Sequence, residues 1–180
     1  MFVWLHNIRS AHNVGTILRT ADALGNVTVV LSGYTPRLLD KYGLSNNKLL
    51  KVSLGAEESV SVLEFDEKED FLNYLASKNK SLNTQDLDVL HDHDFNKLSS
   101  LTGYDFVSLE LTSNSIPYKE FKTKNLQNTV LILGNEVSGV EDKLLNISSK
   151  VLEIPMSGNK ESLNVAISFA VVAFYLRDQI

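Results

Sequence analysis

The sequence predicts an α/β fold in which a mostly parallel β-sheet is flanked by helices. Short apolar segments of strand length alternate along the chain with longer segments whose apolar residues recur at helical spacing. Such alternation is typical of parallel strands that are joined by crossover helices. Several predicted strands also end in polar or glycine-rich loops, and in such sheets these loops meet at the carboxyl edge, where ligands bind.

The first half of the chain contains three predicted strands and two predicted helices with a clear hydrophobic period. In the first helix, apolar residues recur three and four positions apart, Asn13 stands before them as the expected N-cap, and Gly25 follows them as the expected end. The predicted elements are strands at 2–5, 27–31 and 60–65, a loop with a short helix at 33–56, and an amphipathic helix at 66–80 whose inner side carries Phe71, Leu72 and Leu75.

The second half opens with a polar stretch, residues 81–103, that lacks a clear hydrophobic period. A stretch of this kind is predicted to be an insertion rather than part of the core. The elements that follow it are predicted strands at 104–111, 129–133 and 151–154 and a final helix at 162–178.

The final predicted helix is unusual because it is apolar on nearly all sides. Ser162 is its expected N-cap, and its longest apolar run, residues 165–176, is too short to cross a bilayer, which takes roughly 20 residues. A terminal helix of a small domain can seldom bury such a surface alone. We therefore predict that this helix contributes to a homodimer, built from one domain that spans residues 1–180.

Composition limits the class of protein. The chain has 180 residues, of which 43% are apolar and 22% charged, as expected for a globular domain with a full core. It has no cysteine, which excludes disulfide frameworks, thiolate zinc sites and thiol nucleophiles and is compatible with a cytoplasmic protein. The N-terminus has neither the basic flank nor the long apolar core of a signal peptide.

The distribution of charge suggests where an RNA surface would lie. The net charge is −5, from 17 basic and 22 acidic residues, so the protein is not coated in positive charge. Basic residues nevertheless exceed acidic ones in residues 1–60, whereas acidic residues exceed basic ones in 61–125. An RNA surface is therefore expected in the N-terminal third, although ordinary surface charge is an equally good interpretation of Arg9, Arg19, Arg37, Lys41, Lys48 and Lys51.

Three loops at predicted strand ends are candidates for holding a cofactor. They comprise residues 112–114, 134–139 and 155–159, and glycines in the last two let backbone approach a ligand closely. Free N–H groups at the following helix start favour polar or anionic groups. The sequence contains neither the G-x-G-x-x-G fingerprint nor the G-x-x-x-x-G-K-[ST] loop, which argues against a dinucleotide enzyme and a P-loop NTPase. Any single loop of this kind could also be a plain tight turn.

Three motifs in these regions resemble those of a known family. The first motif of the SpoU, or TrmH-like, RNA 2′-O-methyltransferases is similar to residues 7–22 (NIRSAHNVGTILRTAD). Their second motif is similar to residues 131–140 (LILGNEVSGV), and their third to residues 154–166 (IPMSGNKESLNVA). The motifs occur in the family's order, and the resemblance covers nearly the whole chain except residues 81–103.

The resemblance implies a fold, a cofactor and a reaction. The fold is that of the SPOUT superfamily, a parallel sheet with a deep trefoil knot in its C-terminal half, and such proteins are typically homodimers. The reaction is transfer of a methyl group from S-adenosylmethionine to a ribose 2′-hydroxyl in structured RNA. Cofactor contacts are implied near Leu111, Gly134, Asn135, Ile154, Met156 and Leu163.

The same resemblance places five residues in the active site: Arg19, Asn13, Glu136, Asn164 and Ser162. In the family the matching arginine is often assigned as the base. A guanidinium keeps its proton above about pH 12, so an orienting or phosphate-holding role is easier to defend. The six residues from Asn13 to Arg19 span roughly 9 Å of helix, which a long side chain could bridge. Glu136 lies in a glycine-flanked turn, where a carboxylate can hold an arginine or a hydroxyl. Arg19 as a structural ion-pair residue, Glu136 as a plain surface acid of the turn, and Ser162 as a cap alone remain alternatives.

Two departures from the family pattern affect the prediction. Val137 stands where many members have glycine, so the backbone there must suit a β-branched residue. We expect no separate N-terminal RNA-binding domain, unlike in many ribosomal-RNA members, and this expectation favours transfer RNA as substrate. The competing hypotheses are a knotted RNA-binding protein without methyl transfer, a base methyltransferase, and a generic α/β domain that binds another nucleotide.

No metal site is predicted. The run His91-Asp92-His93-Asp94 has possible ligands, but its spacing suits a polar loop and no partner ligands are evident. His6 and His12 are expected to be loop residues near the site rather than ligands.

Overall fold

The centre of the molecule is a sheet of parallel strands. The computed structural model describes residues 1–78, 95–123 and 125–179. Within these residues the sheet contains seven strands: β1 Phe2–His6, β2 Thr28–Ser32, β3 Ser61–Glu64, β4 Asp105–Leu109, β5 Ile116–Pro117, β6 Thr129–Leu133 and β7 Lys150–Glu153.

The strand order is β3-β2-β1-β6-β4-β7-β5, and every paired neighbour is parallel. Strand β6 lies between β1 and β4, and all five of its residues are buried, as expected for a strand covered on both faces. The predicted α/β class and parallel sheet are confirmed. Each predicted strand lies within two residues of an observed one, and the short β5 was not predicted.

Helices cover both faces of the sheet. On one face, apolar side chains of α1, α2 and α7 form a single core with the sheet, and on the other face those of α4, α5 and α6 form a second core. The short α3 contributes to the first core. The helices are α1 Ala11–Leu24, α2 Asn47–Ser53, α3 Ala56–Ser59, α4 Lys68–Lys78, α5 Phe95–Thr102, α6 Asp142–Asn146 and α7 Val165–Arg177.

Helix α1 begins earlier than the sequence predicts. Its N-cap is Ser10, which has an extended backbone and whose hydroxyl oxygen accepts a hydrogen bond from the N–H of Asn13 at 3.3 Å. The prediction of Asn13 as N-cap was therefore wrong: Asn13 lies in the first helical turn, 7% exposed. Serine and asparagine cap almost equally well, so local propensity could not choose between them. Gly25 ends the helix as predicted, with φ 69°.

Helix α7 begins later than the sequence predicts. Asn164, and not Ser162, is its N-cap, because the Asn164 side chain accepts hydrogen bonds from the N–H groups of Ala166 and Ile167. Ser162 lies exposed in the preceding loop. The helix buries one apolar stripe against α1 and the sheet but leaves Ile167 50% exposed.

Helices α1 and α2 pack so closely that the contact requires a glycine. A Cβ added to Gly15 would lie 2.6 Å from the Leu49 carbonyl oxygen and 2.9 Å from the Val52 Cβ. Since both lie on α2, a larger residue would push the two helices apart. This contact holds the first turn of α1 in place above the carboxyl ends of the strands.

The predicted insertion is described only in part. Its last residues form α5, which packs against α4. Residues 79–94, which include the run His91-Asp92-His93-Asp94, lie outside the described residues. Of the helices in the described ranges, none combines the length and the hydropathy of a membrane span.

Candidate functional site

A cavity of about 660 Å³ opens at the carboxyl edge of the sheet. The loops that follow β4, β6 and β7 line it, together with the segment that leads into α7. Its size is that of a small-molecule site. The structure brings all six predicted cofactor residues to its wall, namely Leu111, Gly134, Asn135, Ile154, Met156 and Leu163.

The loop after β6 is a tightly closed turn. Asn135 and Gly139 exchange two backbone hydrogen bonds, and the Asn135 Oδ1 atom accepts the N–H groups of Val137 and Ser138 at 2.8 and 2.9 Å. A Cβ on Gly134 would lie 2.3 Å from the Gly139 carbonyl oxygen. Val137 is not among the residues with positive φ and is 78% exposed, so its β-branched side chain fits the turn.

Glu110, the residue that follows β4, holds this turn from the other side. Its Oε2 accepts the Val140 N–H at 2.9 Å, and its Oε1 accepts the N–H of Leu111, also at 2.9 Å. A Cβ on Gly139 would lie 2.3 Å from the same carboxylate. Glu110 was not predicted from the sequence, although an acidic residue directly after a buried strand is a recognisable feature.

The three motifs meet through a chain of side-chain hydrogen bonds. Asn164 donates through Nδ2 to Asn13 Oδ1 at 2.9 Å, and Asn13 donates through Nδ2 to Glu136 Oε1 at 2.8 Å. These residues lie on α7, α1 and the loop after β6, respectively. Glu136 and Asn164 also line the cavity, so this chain of bonds forms one of its edges.

Glu136 is an anchor for the start of α1. Its Oε2 accepts the Arg9 N–H at 2.8 Å, and its Oε1 accepts the Ser10 N–H at 3.1 Å in addition to the Asn13 amide. Burial raises the pKa of Glu136, but these hydrogen bonds outweigh it and the net pKa is lower than usual. The carboxylate is thus ionised, and its partners are backbone N–H groups and Asn13 rather than the arginine or hydroxyl considered from the sequence.

Replacement of Glu136 with glutamine is expected to lower the free energy of unfolding by about 1 kcal/mol at pH 7, because a charged acceptor is lost at a partly exposed position. The folded pKa is depressed, so the stabilisation is complete above the unfolded pKa of about 4.3 and disappears as the pH falls through the folded value. Urea denaturation from pH 7 to pH 3 measures this difference.

The matched control is glutamine at Glu161, an exposed acid on the same cavity wall that receives no hydrogen bond within the described residues. This control should match the wild type throughout. A difference between wild type and the Glu136 variant that stays constant across the pH range would contradict the assignment.

Arg19 stands apart from this hydrogen-bonded chain. It is exposed on α1, does not line the cavity, and forms no ion pair or hydrogen bond with any residue that the structure describes. The interpretation of Arg19 as a structural ion-pair residue therefore has no support in the described ranges. Its guanidinium is available to a ligand. Ser162 lines the cavity but is also outside the hydrogen-bonded chain.

A second polar cluster, not predicted from the sequence, joins the end of β1 to the start of α6. Glu141 Oε1 lies 3.0 Å from His6 Nε2 and accepts the Asn7 amide at 2.8 Å, while Lys68 Nζ lies 3.1 Å from Glu141 Oε2. His6 is the buried last residue of β1, not the loop residue expected, and its Nδ1 lies 2.7 Å from Ser32 Oγ.

The electrostatics of this cluster keep His6 neutral and Glu141 charged. Burial lowers the pKa of His6, and the attraction of Glu141 only partly offsets it. Burial raises the pKa of Glu141, but its contacts with Lys68 and His6 lower it by more. A neutral His6 imidazole between the Ser32 hydroxyl and the Glu141 carboxylate fits a structural role, in which it links the end of β1 to the start of α6. His12 is exposed on α1, also outside a loop.

The segment after β2 reaches the same edge. The Tyr34 hydroxyl accepts the Asn135 Nδ2 at 2.7 Å, and the Tyr34 N–H donates to Asn7 Oδ1 at 3.2 Å. Farther along, Arg37 is paired with Asp66, whereas Lys41, Lys48 and Lys51 are exposed. In the described ranges, no group of three or more histidine and acidic side chains could hold a metal ion.

Comparison with known proteins finds relatives of this chain. The model of the SpoU rRNA Methylase family matches residues 1–174. The tRNA (guanosine(18)-2′-O)-methyltransferase of Aquifex aeolicus (strain VF5) is 26% identical over 181 residues, which covers 99% of this chain and 69% of that protein. The 23S rRNA (guanosine(2553)-2′-O)-methyltransferase RlmP of Bacillus subtilis (strain 168) is 28% identical over 170 residues, which covers 94% of this chain and 55% of that protein. The chain thus spans only part of each relative.

The fold is also similar to solved structures. The SpoU methyltransferase AviRb from Streptomyces viridochromogenes, crystallised with the cofactor AdoMet, matches with a TM-score of 0.76 and 20% identity. The match covers 99% of this chain and 60% of that chain. The parallel sheet and its flanking helices are therefore an architecture that this chain shares with that methyltransferase.

Proposed function

The chain belongs to the SpoU rRNA Methylase family, and from that membership we propose that it transfers a methyl group from S-adenosylmethionine to a ribose 2′-hydroxyl of structured RNA. The observation that carries the proposal is the hydrogen-bonded chain Asn164–Asn13–Glu136. It joins one residue from each of the three motifs beside a cavity of suitable size.

The cavity fits the proposed cofactor. S-adenosylmethionine supplies an electrophilic methyl group when it is bound. Four apolar side chains are available to cover a purine ring, and Gly134 brings backbone to the cavity wall. Leu111 and Leu163 are exposed in the structure, as expected of apolar side chains that a bound ligand would cover. The covering residues are Leu111, Ile154, Met156 and Leu163.

Arg19 is proposed to orient the substrate. A 2′-hydroxyl is a weak nucleophile until its proton is drawn off or its surroundings favour the oxyanion. The guanidinium remains protonated, so we assign Arg19 to holding a phosphate or the developing oxyanion. Asn13 and Asn164 fix the entry of α1 and α7, Glu136 holds the start of α1, and Ser162 is placed at the rim of the site.

The RNA substrate is a further part of the proposal. One relative is named for transfer RNA and another for 23S ribosomal RNA. We keep transfer RNA as the favoured substrate, with contacts from the exposed basic residues of the first third of the chain. These are Arg9, Arg19, Lys41, Lys48 and Lys51.

The quaternary and topological expectations are proposals as well. The exposed Ile167 on α7 supports a homodimer in which this helix is covered. The insertion of β6 between β1 and β4, after the chain has already formed β4 and β5, supports a C-terminal trefoil knot. We treat residues 1–180 as one methyltransferase domain, and we propose the cytoplasm as the compartment in which it meets RNA.

Calorimetric titration with S-adenosylhomocysteine tests the cofactor assignment. We expect saturable binding of one molecule per chain and no binding of ATP, which serves as the control nucleotide. Absence of S-adenosylhomocysteine binding by a folded protein would favour an RNA-binding protein without methyl transfer. Binding of ATP instead would favour the generic nucleotide-binding domain.

The substrate assignment is tested with transfer RNA and ribosomal RNA fractions from cells that lack the gene. Incubation with S-adenosylmethionine labelled in the methyl group should label one fraction. Nuclease digestion and mass spectrometry should then place the label on ribose. A label on the base would contradict the 2′-O assignment.

A further inference from the structure

We propose that Tyr34 stacks on a nucleobase of the bound RNA next to the ribose that is methylated; this inference rests on the proposed function. Tyr34 follows β2, and its side chain is 61% exposed. An exposed tyrosine alone would not indicate an RNA contact. Tyr34 differs from other exposed tyrosines because its hydroxyl is hydrogen-bonded to Asn135 in the closed turn after β6, here called the active-site turn.

The side chain is held in place at its tip. The Tyr34 hydroxyl accepts a hydrogen bond of 2.7 Å from the Asn135 amide, and the same amide nitrogen donates to the Asn7 carbonyl at 3.0 Å. Asn135 lines the proposed cofactor cavity, whereas Tyr34 does not. Tyr34 is therefore one contact away from the cavity and is not needed to form its wall.

The backbone of Tyr34 is also fixed. Its N–H donates to Asn7 Oδ1, and Gly33 has φ 63° with no room for a Cβ, which would lie 2.0 Å from that same oxygen. The ring is thus anchored at both ends while its surface stays exposed. Stacking on it would cost little conformational entropy, since the side chain is already ordered.

The basic residues that follow Tyr34 in the chain fit a nucleic acid as the occupant. Lys41, Lys48 and Lys51 are all exposed in the segment after Tyr34. Aromatic side chains beside cations are the usual platform for unstacked bases. A base next to the target ribose has to leave its own stack, so a fixed ring at this position would hold it.

Kinetics of three variants test this role. Tyr34→Leu should raise the KM for RNA about 5- to 100-fold, the range expected for one lost base–aromatic stack. Tyr34→Phe keeps the ring and should recover most of that loss. The matched control is Tyr42→Leu, an exposed tyrosine of the same segment that does not contact the active-site turn. The RNA is the fraction labelled by the wild type.

Two further measurements separate stacking from support of the fold. The affinity for S-adenosylhomocysteine and the melting temperature of Tyr34→Leu should equal those of Tyr34→Phe, which loses the same hydrogen bond from Asn135. Equal KM values for Tyr34→Leu and wild type would overturn the inference, and so would Tyr34→Phe being as impaired as Tyr34→Leu. A loss of cofactor affinity, of stability or of dimer mass in parallel with the KM change would also overturn it.

Failure of the proposed function would be visible separately. If the wild type labels neither RNA fraction, methyl transfer is wrong, and filter retention of the same fractions by the same four proteins then decides the role of Tyr34. Weaker retention by Tyr34→Leu alone would support stacking. Equal retention by all four proteins would overturn it.

Discussion

Alanine at Arg19 should reduce methyl transfer by about 100-fold or more while S-adenosylhomocysteine still binds with nearly wild-type affinity. The magnitude is that of one removed electrostatic contact to a transition state. Arg19 does not line the cavity and has no partner within the described residues, so its loss disturbs neither the cofactor site nor the fold. Methyl incorporation into RNA and calorimetry measure the two effects.

Two companion variants sharpen this experiment. Arg177→Ala removes an arginine near the end of α7, where its partner is the neighbouring Asp178, and should retain full activity. Arg19→Lys keeps the charge but not the planar fork, so we expect an intermediate rate. Full activity of Arg19→Ala would overturn the proposed mechanism, and loss of cofactor binding would make Arg19 structural.

Alanine at Gly134 should weaken S-adenosylhomocysteine binding at least about 10-fold and lower the free energy of unfolding by about 1–3 kcal/mol. The added Cβ would meet only backbone atoms, those of Gly139 and Val140, at 2.3 to 2.4 Å. Backbone cannot move aside as a flexible side chain can, so the whole turn must open. That turn carries Glu136 and Asn135, and its opening would disturb both walls of the site.

Gly158→Ala is the matched control for this variant. Gly158 lines the same cavity, but an added Cβ has open space and its φ is not positive. Calorimetry and urea denaturation should therefore give nearly wild-type values for Gly158→Ala. Wild-type affinity of Gly134→Ala for S-adenosylhomocysteine would show that the turn can adjust to a Cβ and that the close backbone contact at Gly134 is not required.

The fold was predictable where the pattern is long and local. Strand β6 is predicted from a short continuous apolar run, and α1 is predicted from apolar residues that recur at helical spacing. The starts of α1 and α7 were not predictable, because Ser10 and Asn13, or Ser162 and Asn164, are equally good caps. The short α3, α6 and β5 are too brief to show a period.

The site was predictable in its members but not in its contacts. Motif resemblance brought Asn13, Glu136 and Asn164 together, yet it did not show that Glu136 binds backbone N–H groups. Those bonds join residues more than a hundred positions apart, which no local pattern encodes. Tyr34 and Glu110 were missed because only the folded chain shows which residues they contact.

The bond between Asn164 and Asn13 has a consequence for the time at which activity appears during biosynthesis. It joins residues 151 positions apart, so the ribosome must release α7 before the site can close. Parallel strands whose neighbours are distant in sequence also assemble slowly. A nascent or truncated chain that ends before Asn164 would hold the first two motifs without their partner. Enzymatic activity would therefore appear only after this region has been synthesised.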